Sequence, residues 1–598
     1  MPLVDPPIAA HRLIGNGRAT ALVLPDGSID WWCAPEPDDA PLLWRLLDPS
    51  GPCARWSDAD SSGQAPPVAG PAVRTTVSVD GVLVQLLDAL VRVEGWIVLG
   101  RFARAVDVGT TLTHEVGVGI GGFETDDAAD DTPWWRVTGD VAEARPEDRR
   151  VVVKGTGPTA VIDGVARTTV DVVADRWQGL VLVVGDGDAP DPCAVAGQAE
   201  AELRAYDDDL TTCEFPERLG DVCMDALAVV IACTCSGSGA IIAAPTTSLP
   251  EVIGGDRQFD YRYCWLRDSA QAVSVSSQLG RHEAARRLFD FLGELGPQRL
   301  LESPVFTVRG GDVPEERELS TVSGWRGSRP VRVGNDASGQ VQHDVLGIVV
   351  EAITAFEELG DGLRPAHLSI VAAFADRALE APDATNGIWE FRQPAQLVSA
   401  DIGRWVALDR AVALARRHRR VRWARRARHW SRVRDEVRTK VLGALRPDGS
   451  LPRAYDDEPD VHDASALLAV IYGLIEPEDP RAHRLVDATL RTLGEGVFVR
   501  RYRGVDDGFA PGEGAFVPCS WWAVSALAIL GRQEEALDRA RAIREVLPGI
   551  QPEEVDVATG EGLGNVPLVW SHTEAARAAI LVDRAQAGPA DADRERPR

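Results

Sequence analysis

"GQAEAELRAYDDDL" (residues 197–210) marks the point where the chain changes its periodicity. Before it, apolar and polar residues alternate, as in a half-buried strand; after it, apolar residues recur every 3.6 positions, as on an amphipathic helix. The stretch itself reads as a helix connecting the two regimes. Upstream, "RTTVSVDGVLVQLLDALVRVEGWIVLGRFARAV" (74–106) carries β-branched runs split by Asp80-Gly81 and Glu94-Gly95, both hairpin signals. "VVVKGTGPTAVIDGVARTTVDVVADRWQGLVLVVGDGD" (151–188) continues the pattern, and the acidic run at 124–131 reads as a solvated loop between strands. Short strands of this kind predict an antiparallel β-sandwich over residues 1–195.

Downstream of a linker at 196–218, helices are predicted over 219–236, 266–279, 282–295, 339–358, 365–380, 401–419, 423–445, 462–475, 480–493, 517–530, 533–545 and 571–586. That many helical hairpins after a β-region fit an α/α toroid, with inner and outer rings, over residues 219–586. The intervening loops are long and rich in Gly, Pro and Trp, where function concentrates. The basic run "ARRHRRVRWARRARHWSRVRDEVR" (415–438) reads as a solvated outer helix with Val, Trp and Ala on its inner stripe. Residues 587–598 read as a disordered tail.

Composition narrows the function. A chain of 598 residues exceeds a single core, and 45% apolar with 26% charged residues is ordinary globular material. A net charge of −28 and a pI near 4.8 disfavour nucleic acid, whose phosphates would be repelled. No apolar stretch reaches the roughly 20 residues that span a bilayer, and "MPLVDPPIAAHRLIGNG" lacks the segments of a secretion signal, so a cytoplasmic location is expected. Nine cysteines without paired spacing are expected to be reduced and nearly all buried, and ten histidines show no ligand spacing. Neither a metal nor a cofactor is expected.

Seventeen tryptophans accompany only six tyrosines, and several stand beside polar loop residues. Trp265 lies near Arg267-Asp268, Trp389 beside Glu390, Trp325 beside Arg326, and Trp570 before Ser571-His572. Aromatic faces stack on the C–H faces of a sugar ring while Asp and Arg fork hydrogen bonds to its hydroxyls. Hydrolysis of a glycoside needs two carboxyls. "TNGIWEFRQP" (385–394) sets Glu390 between Trp389 and Phe391, the apolar surroundings a proton-bearing carboxyl needs. "GIQPEEVDVATGEGLGNVPLVWSHTEA" (549–575) sets Glu553 and Glu554 in a Gly/Pro-rich loop before the last helix.

Six blocks, in order, resemble glycoside hydrolase family 15: "IGNGRATALVLPDGSIDWWCAPEPDDAP", "TTSLPEVIGGDRQFDYRYCWLRDSA", "GWRGSRPVRVGNDA", "GIWEFR", "GEGAFVPCSWWAVSALAILGR" and "EEVDVATGEGLGNVP". The resemblance runs from about residue 11 to 580. It implies a β-sandwich followed by an (α/α)6 barrel, and inverting, exo-acting hydrolysis of a small α-glucoside such as trehalose, isomaltose or a malto-oligosaccharide. Carried over by position, Glu390 resembles the family's general acid and Glu553 its general base. Arg267 and Asp268 match the pair that grips the terminal glucose, with Trp265 and Trp389 beside them. Arg501 matches a sugar-contacting arginine, with Arg500 and Arg503 as neighbouring alternatives. Trp570 resembles the aromatic before the final helix, Trp325 is a candidate for the adjoining subsite, and Glu554 joins the substrate-binding set. Tyr261 and Tyr263 read as packing residues. The chain departs from its relatives around the base, reading "PEE" where they read "SEE" and "GNVPLVWSH" where they read "GNFPQAFSH".

An inverting mechanism places the two carboxyls roughly 6.5–9.5 Å apart, with water between. Two other functions share these residues: phosphorolysis or glycosyl transfer, which needs no second carboxylate, and sugar binding without turnover. Oligomeric state is left open, with a homo-oligomer among the options.

Overall fold

A computed structural model of the chain describes residues 5–57, 59–61, 69–123, 135–146, 149–360, 362–380, 384–418 and 423–584. The acidic run at 124–131 and the tail at 587–598 lie outside the described residues. Two antiparallel sheets make up the N-terminal part. One runs Arg12–Gly15, Thr20–Val23, Ile29–Cys33, Ala54–Trp56, Thr110–Val116, Val165–Val172 and Thr159–Ile162, with Pro41–Leu43 paired to Ile29–Cys33. The other runs Arg136–Thr138, Val141–Ala144, Val151–Gly155, Gln178–Gly185, Trp96–Ala105, Val82–Val93, Ala72–Val79 and Asp60–Ser61.

Register follows the turns. Val79 pairs with Val82 across Asp80 and Gly81, whose φ values of 50° and 81° define a two-residue turn that twists with the strands. Asp163-Gly164 (φ 50° and 76°) does the same between Ile162 and Val165. The sheets face each other across Trp56, Leu112 and Val170 from the first and Val77, Val84, Leu86 and Ala103 from the second. Arg101 also joins them: within the second sheet its Nε donates to Asp88 Oδ1 at 2.8 Å, and its Nη1 donates across to the Ala54 carbonyl of the first at 2.8 Å. Both side chains are fully buried, so removing either partner would cost roughly 3–5 kcal/mol.

Helix α1 (Pro192–Leu210) starts on the N-cap Asp191, whose carboxylate accepts the Ala194 N–H at 2.9 Å. Its Val195, Ala196 and Ala199 cover the outer face of the second sheet, against Val98, Phe102 and Val181. The strand Trp96–Ala105 is therefore buried on both faces.

The rest is helical: α2 (Gly220–Ala232), α3 (Leu266–Gln278), α4 (His282–Glu302, broken at Gly296), α5 (Asp344–Glu358), α6 (Pro365–Arg377), α7 (Val398–His418), α8 (Ala424–Gly443), α9 (Leu468–Ile471), α10 (Pro480–Leu493), α11 (Val517–Ile529), α12 (Gln533–Val546) and α13 (Val569–Arg584). Packing closes a circuit: α3 on α5, α5 on α7, α7 on α9, α9 on α11, α11 on α13, and α13 back on α3. Helices α4, α6, α8, α10 and α12 lie outside it on their neighbours in sequence, and α2 covers α13. In α8, Trp430, Val433, Val437 and Val441 turn inward while Arg425, Arg428 and Arg432 face solvent. Residues 419–422 of the basic run lie outside the described residues.

Two of the predicted helices that come out shorter do so for clear local reasons. The segment 462–475 keeps only a 3-10 turn, Ala464–Leu467, and α9, because His462–Asp463 pairs with Tyr502–Arg503 as strand. The helix expected from 339 begins at Asp344: Asp336–Gly339 is a 3-10 turn capped by Asn335, and Gln340, which follows it, is extended. Six of the nine free cysteines are buried; Cys193 is exposed, and Cys53 and Cys213 are partly so. Among the described residues, no helix is long and apolar enough to cross a membrane. The sheets and helices share one apolar cluster, and Trp31 Nε1 donates across the boundary to the Pro245 carbonyl at 2.7 Å.

Candidate active site

The loops preceding the circuit helices meet in a cleft. It is lined by the starts of α3 (Arg267, Asp268) and α13 (Trp570), by Phe516 just before α11, and by loop residues including Tyr261, Trp265, Glu390, Arg501 and Glu553. Helix N-termini carry partial positive charge, which suits a site crowded with carboxylates.

The stretch "YRYCW" (261–265) divides the cleft. Strand alternation just before α3 puts Tyr261, Tyr263 and Trp265 on one side, and the Tyr261 and Trp265 rings meet edge to face, 5.6 Å between centroids. Each donates to a different carboxylate: Trp265 Nε1 to Glu390 Oε1 at 2.8 Å, and the Tyr261 hydroxyl to Glu553 Oε1 at 2.7 Å. Tyr263 does pack in the core, but Tyr261 is a site residue that sequence reading assigned to packing.

Glu390 sits in a left-handed backbone conformation, φ 59°, uncommon for a residue other than glycine and worth roughly 1–3 kcal/mol of strain. Its side chain is 21% exposed to the cleft. Arg267 Nη1 donates to the same Oε1 at 3.1 Å and to the Ile388 carbonyl at 3.0 Å. Oε2 is thus left for other partners. Arg267 Nε also donates to Asp268 Oδ2 at 3.1 Å, and its guanidinium stacks on Trp570 at 4.2 Å. Behind it, Asp344 opens α5 with neither carboxylate oxygen hydrogen-bonded among the described residues, and burial pushes its carboxyl up to about 6. Trp389 Nε1 donates to both Asp463 oxygens at 3.0 Å, and its ring packs against Phe516, Trp522 and Trp570.

Glu553 is only 2% exposed. Gly564 makes its position possible: with φ 74° and a Cβ that would fall 2.6 Å from Glu553 Oε2, no other residue fits there. Burial, and then the negative charge of Glu251, push the Glu553 carboxyl above the ordinary range.

Behind Glu553, Glu251, Glu513 and Glu554 each bring an oxygen within 4.8 Å of the others, close enough to hold a cation. The cation there is a side chain: Arg501 Nη2 contacts all three, at 2.8 Å from Glu513 and 3.0 Å from Glu554. Sequence spacing missed this cluster because Glu251 lies 250 residues from Arg501. It also separates the three candidate arginines. Arg501 lines the cleft, whereas Arg500 is tied to Glu495 at 2.6 Å and Arg503 is exposed.

Two expected contacts lie elsewhere. Trp325 is fully buried beneath Arg326, which stacks on it at 4.1 Å, and lines no part of the cleft. Glu554 is fully buried behind Arg501 and accepts the Gly514 N–H at 2.7 Å, so it faces the ion cluster and not a ligand. Neither side chain lines the cleft.

The chain aligns with two trehalases. It is 36% identical over 369 residues to that of Mycolicibacterium smegmatis, covering 59% of this chain and 54% of the relative. It is 35% identical over 368 residues to that of Mycobacterium tuberculosis, covering 59% and 53%. The chain thus spans about half the length of the curated relatives it matches. The fold matches a bacterial glucoamylase crystallised with acarbose, with a TM-score of 0.69 at 12% identity over 97% of this chain and 94% of that one. Residues 4–65 match the trehalase-like N-terminal family. Because the profile of glycosyl hydrolases family 15 matches residues 221–548, more than half of its length and the whole stretch from α2 past α12, the chain belongs to that family.

Proposed function

We propose that the protein is an exo-acting, inverting α-glucoside hydrolase, with Glu390 as general acid and Glu553 as general base. The observation that carries this reading is the pair of carboxylates in one cleft, held apart by the Tyr261–Trp265 pair. With two donors already on Oε1, Glu390 Oε2 carries the proton to the glycosidic oxygen. As the C–O bond breaks, Glu553 takes a proton from the water attacking the anomeric carbon from the opposite face, and configuration inverts. Tyr261 steadies the ionised base.

Arg267 and Asp268 form the floor that grips the non-reducing sugar, so that one terminal unit is removed. Arg501, which lines the cleft, adds a further contact to a sugar hydroxyl. Trp570 and Trp389 give the aromatic wall. Glu553 lining the cleft favours hydrolysis over phosphorolysis, which would need no second carboxylate. The trehalase names of the relatives make trehalose the first substrate of choice. The helix circuit, with its outer helices, supports an (α/α)6 barrel following a β-sandwich, divided where the last strand gives way to α1.

The test is a panel of trehalose, maltose and isomaltose, with released glucose followed by NMR before mutarotation. Inversion gives β-glucose from the non-reducing unit of maltose or isomaltose, and equal α and β from trehalose. Only α-glucose from trehalose would overturn the inverting assignment, and no turnover of any of the three would overturn the hydrolase.

A further inference from the structure

We propose that Gln340 is a positioning residue that holds the backbone of Glu390 in its left-handed conformation and so aims the carboxyl; this rests on reading Glu390 as the acid. The turn that carries Glu390 is laced to residues 340–342. At its base, the Asn386 N–H donates to the Val341 carbonyl at 2.9 Å, Asn386 Oδ1 accepts the Val341 N–H at 3.0 Å, and the Thr385 hydroxyl donates to the Val341 carbonyl at 2.6 Å. Within the turn, the Glu390 N–H donates to the Gly387 carbonyl at 3.1 Å, and Asn386 Nδ2 donates to the Phe391 carbonyl at 2.7 Å. None of these reaches the Glu390 carbonyl. Gln340 does: its Nε2 donates there at 3.0 Å, while its own Oε1 accepts from Gln342 Nε2 at 3.1 Å.

This lacing also fits the late start of α5 at Asp344, since Gln340 is extended and Val341 bonds to the turn at both its N–H and its carbonyl. The geometry assigns separate tasks to the two sets of bonds. Trp265 and Arg267 hold the carboxyl end of Glu390 but exert no hold on its peptide. A left-handed residue without glycine's freedom relaxes when its carbonyl is released. Rotation of that peptide swings the Cα–Cβ bond and carries Oε2 away from the glycosidic oxygen. Gln340, which also lines the cleft, resists that rotation at the carbonyl end of the peptide, and the Phe391 N–H, donated to the Asn386 carbonyl at 3.0 Å, resists it at the other.

A substrate whose leaving group needs no proton separates aiming of the acid from general damage. α-Glucosyl fluoride releases fluoride, so its hydrolysis depends on the base and the sugar grip but hardly on the acid. Gln340→Met keeps the length and removes the donor; Gln340→Glu replaces it with an acceptor and serves if the first variant folds poorly. Each is measured on the fastest of the three disaccharides and on the fluoride, beside Glu390→Gln. The expected result is a kcat on the disaccharide about 10- to 100-fold lower, with KM within about threefold and turnover of the fluoride within about twofold. Equal losses on both substrates, or no loss on either, would overturn the positioning role. If Glu390→Gln keeps its disaccharide activity, the acid reading itself fails, and the role of Gln340 fails with it.

Discussion

The two walls of the cleft solve opposite problems with the same residue type. The Glu390 wall is open: its carboxyl is partly exposed, held at one oxygen by Trp265 and Arg267, on a strained backbone fixed from behind. The Glu553 wall is sealed by Gly564, bonded to the Tyr261 hydroxyl, and backed by carboxylates gathered on Arg501. An acid must meet the leaving group, which differs between substrates, so access matters on its side. A base needs only a water, so burial costs it no reach. The difference teaches that two carboxyls of one residue type can be set apart by access and burial alone, and the proposed acid and base roles draw on that difference.

Breaking either wall should give the largest effect. Glu390→Gln and Glu553→Gln are each expected to lower kcat/KM by about 10²- to 10⁴-fold. Loss of Glu553 should also remove the acidic limb of the pH profile. An acidic limb that persists in Glu553→Gln would dissolve the comparison.

A smaller change sharpens it. Glu553 must be ionised to accept a proton, so activity rises with pH as it ionises, later than an ordinary carboxylate because burial and Glu251 oppose its charge. Glu251→Gln removes that negative neighbour and frees Arg501, and both changes ease ionisation, so the acidic limb should move to lower pH. Tyr261→Phe removes a donor that favours the carboxylate, so the limb should move to higher pH, with kcat lowered about 10- to 100-fold. Shifts in the same direction would show that the base-side cluster does not set the charge of Glu553.

What the sequence showed and what it hid follow from the reach of each interaction. The Asp80-Gly81 turn is local, because two positive φ values in succession demand such residues, and it was legible. Glu390 and Glu553 were legible from the family-like blocks around them, since flanking aromatic and glycine residues build each pocket. Tyr261 was not, because its hydroxyl matters only through a partner 292 residues away. Glu251 and Gln340 were hidden in the same way, each acting on a residue from a distant loop. The overlong helix at 462–475 has the same origin: helical propensity there yields to pairing with Tyr502–Arg503, which lets Asp463 cap the short turn and accept from Trp389.

Trp325 tests the edge of the comparison, where the smallest catalytic effect is expected. Its neighbours in sequence, Gly324 and Arg326, look like loop residues around a sugar platform, yet the indole lies wholly inside the apolar cluster. Arg326 covers it and pairs with Glu561 at 2.7 Å, in the loop between Glu553 and Gly564. Trp325 therefore supports the base wall from beneath without touching a ligand. Trp325→Phe should destabilise the fold by about 1–3 kcal/mol, through lost packing, and leave KM within about twofold. Measuring thermal unfolding beside KM separates the two roles. A KM raised about tenfold in a variant of unchanged stability would return Trp325 to the ligand-binding set, and would mean that the cleft extends past the sealed wall when occupied.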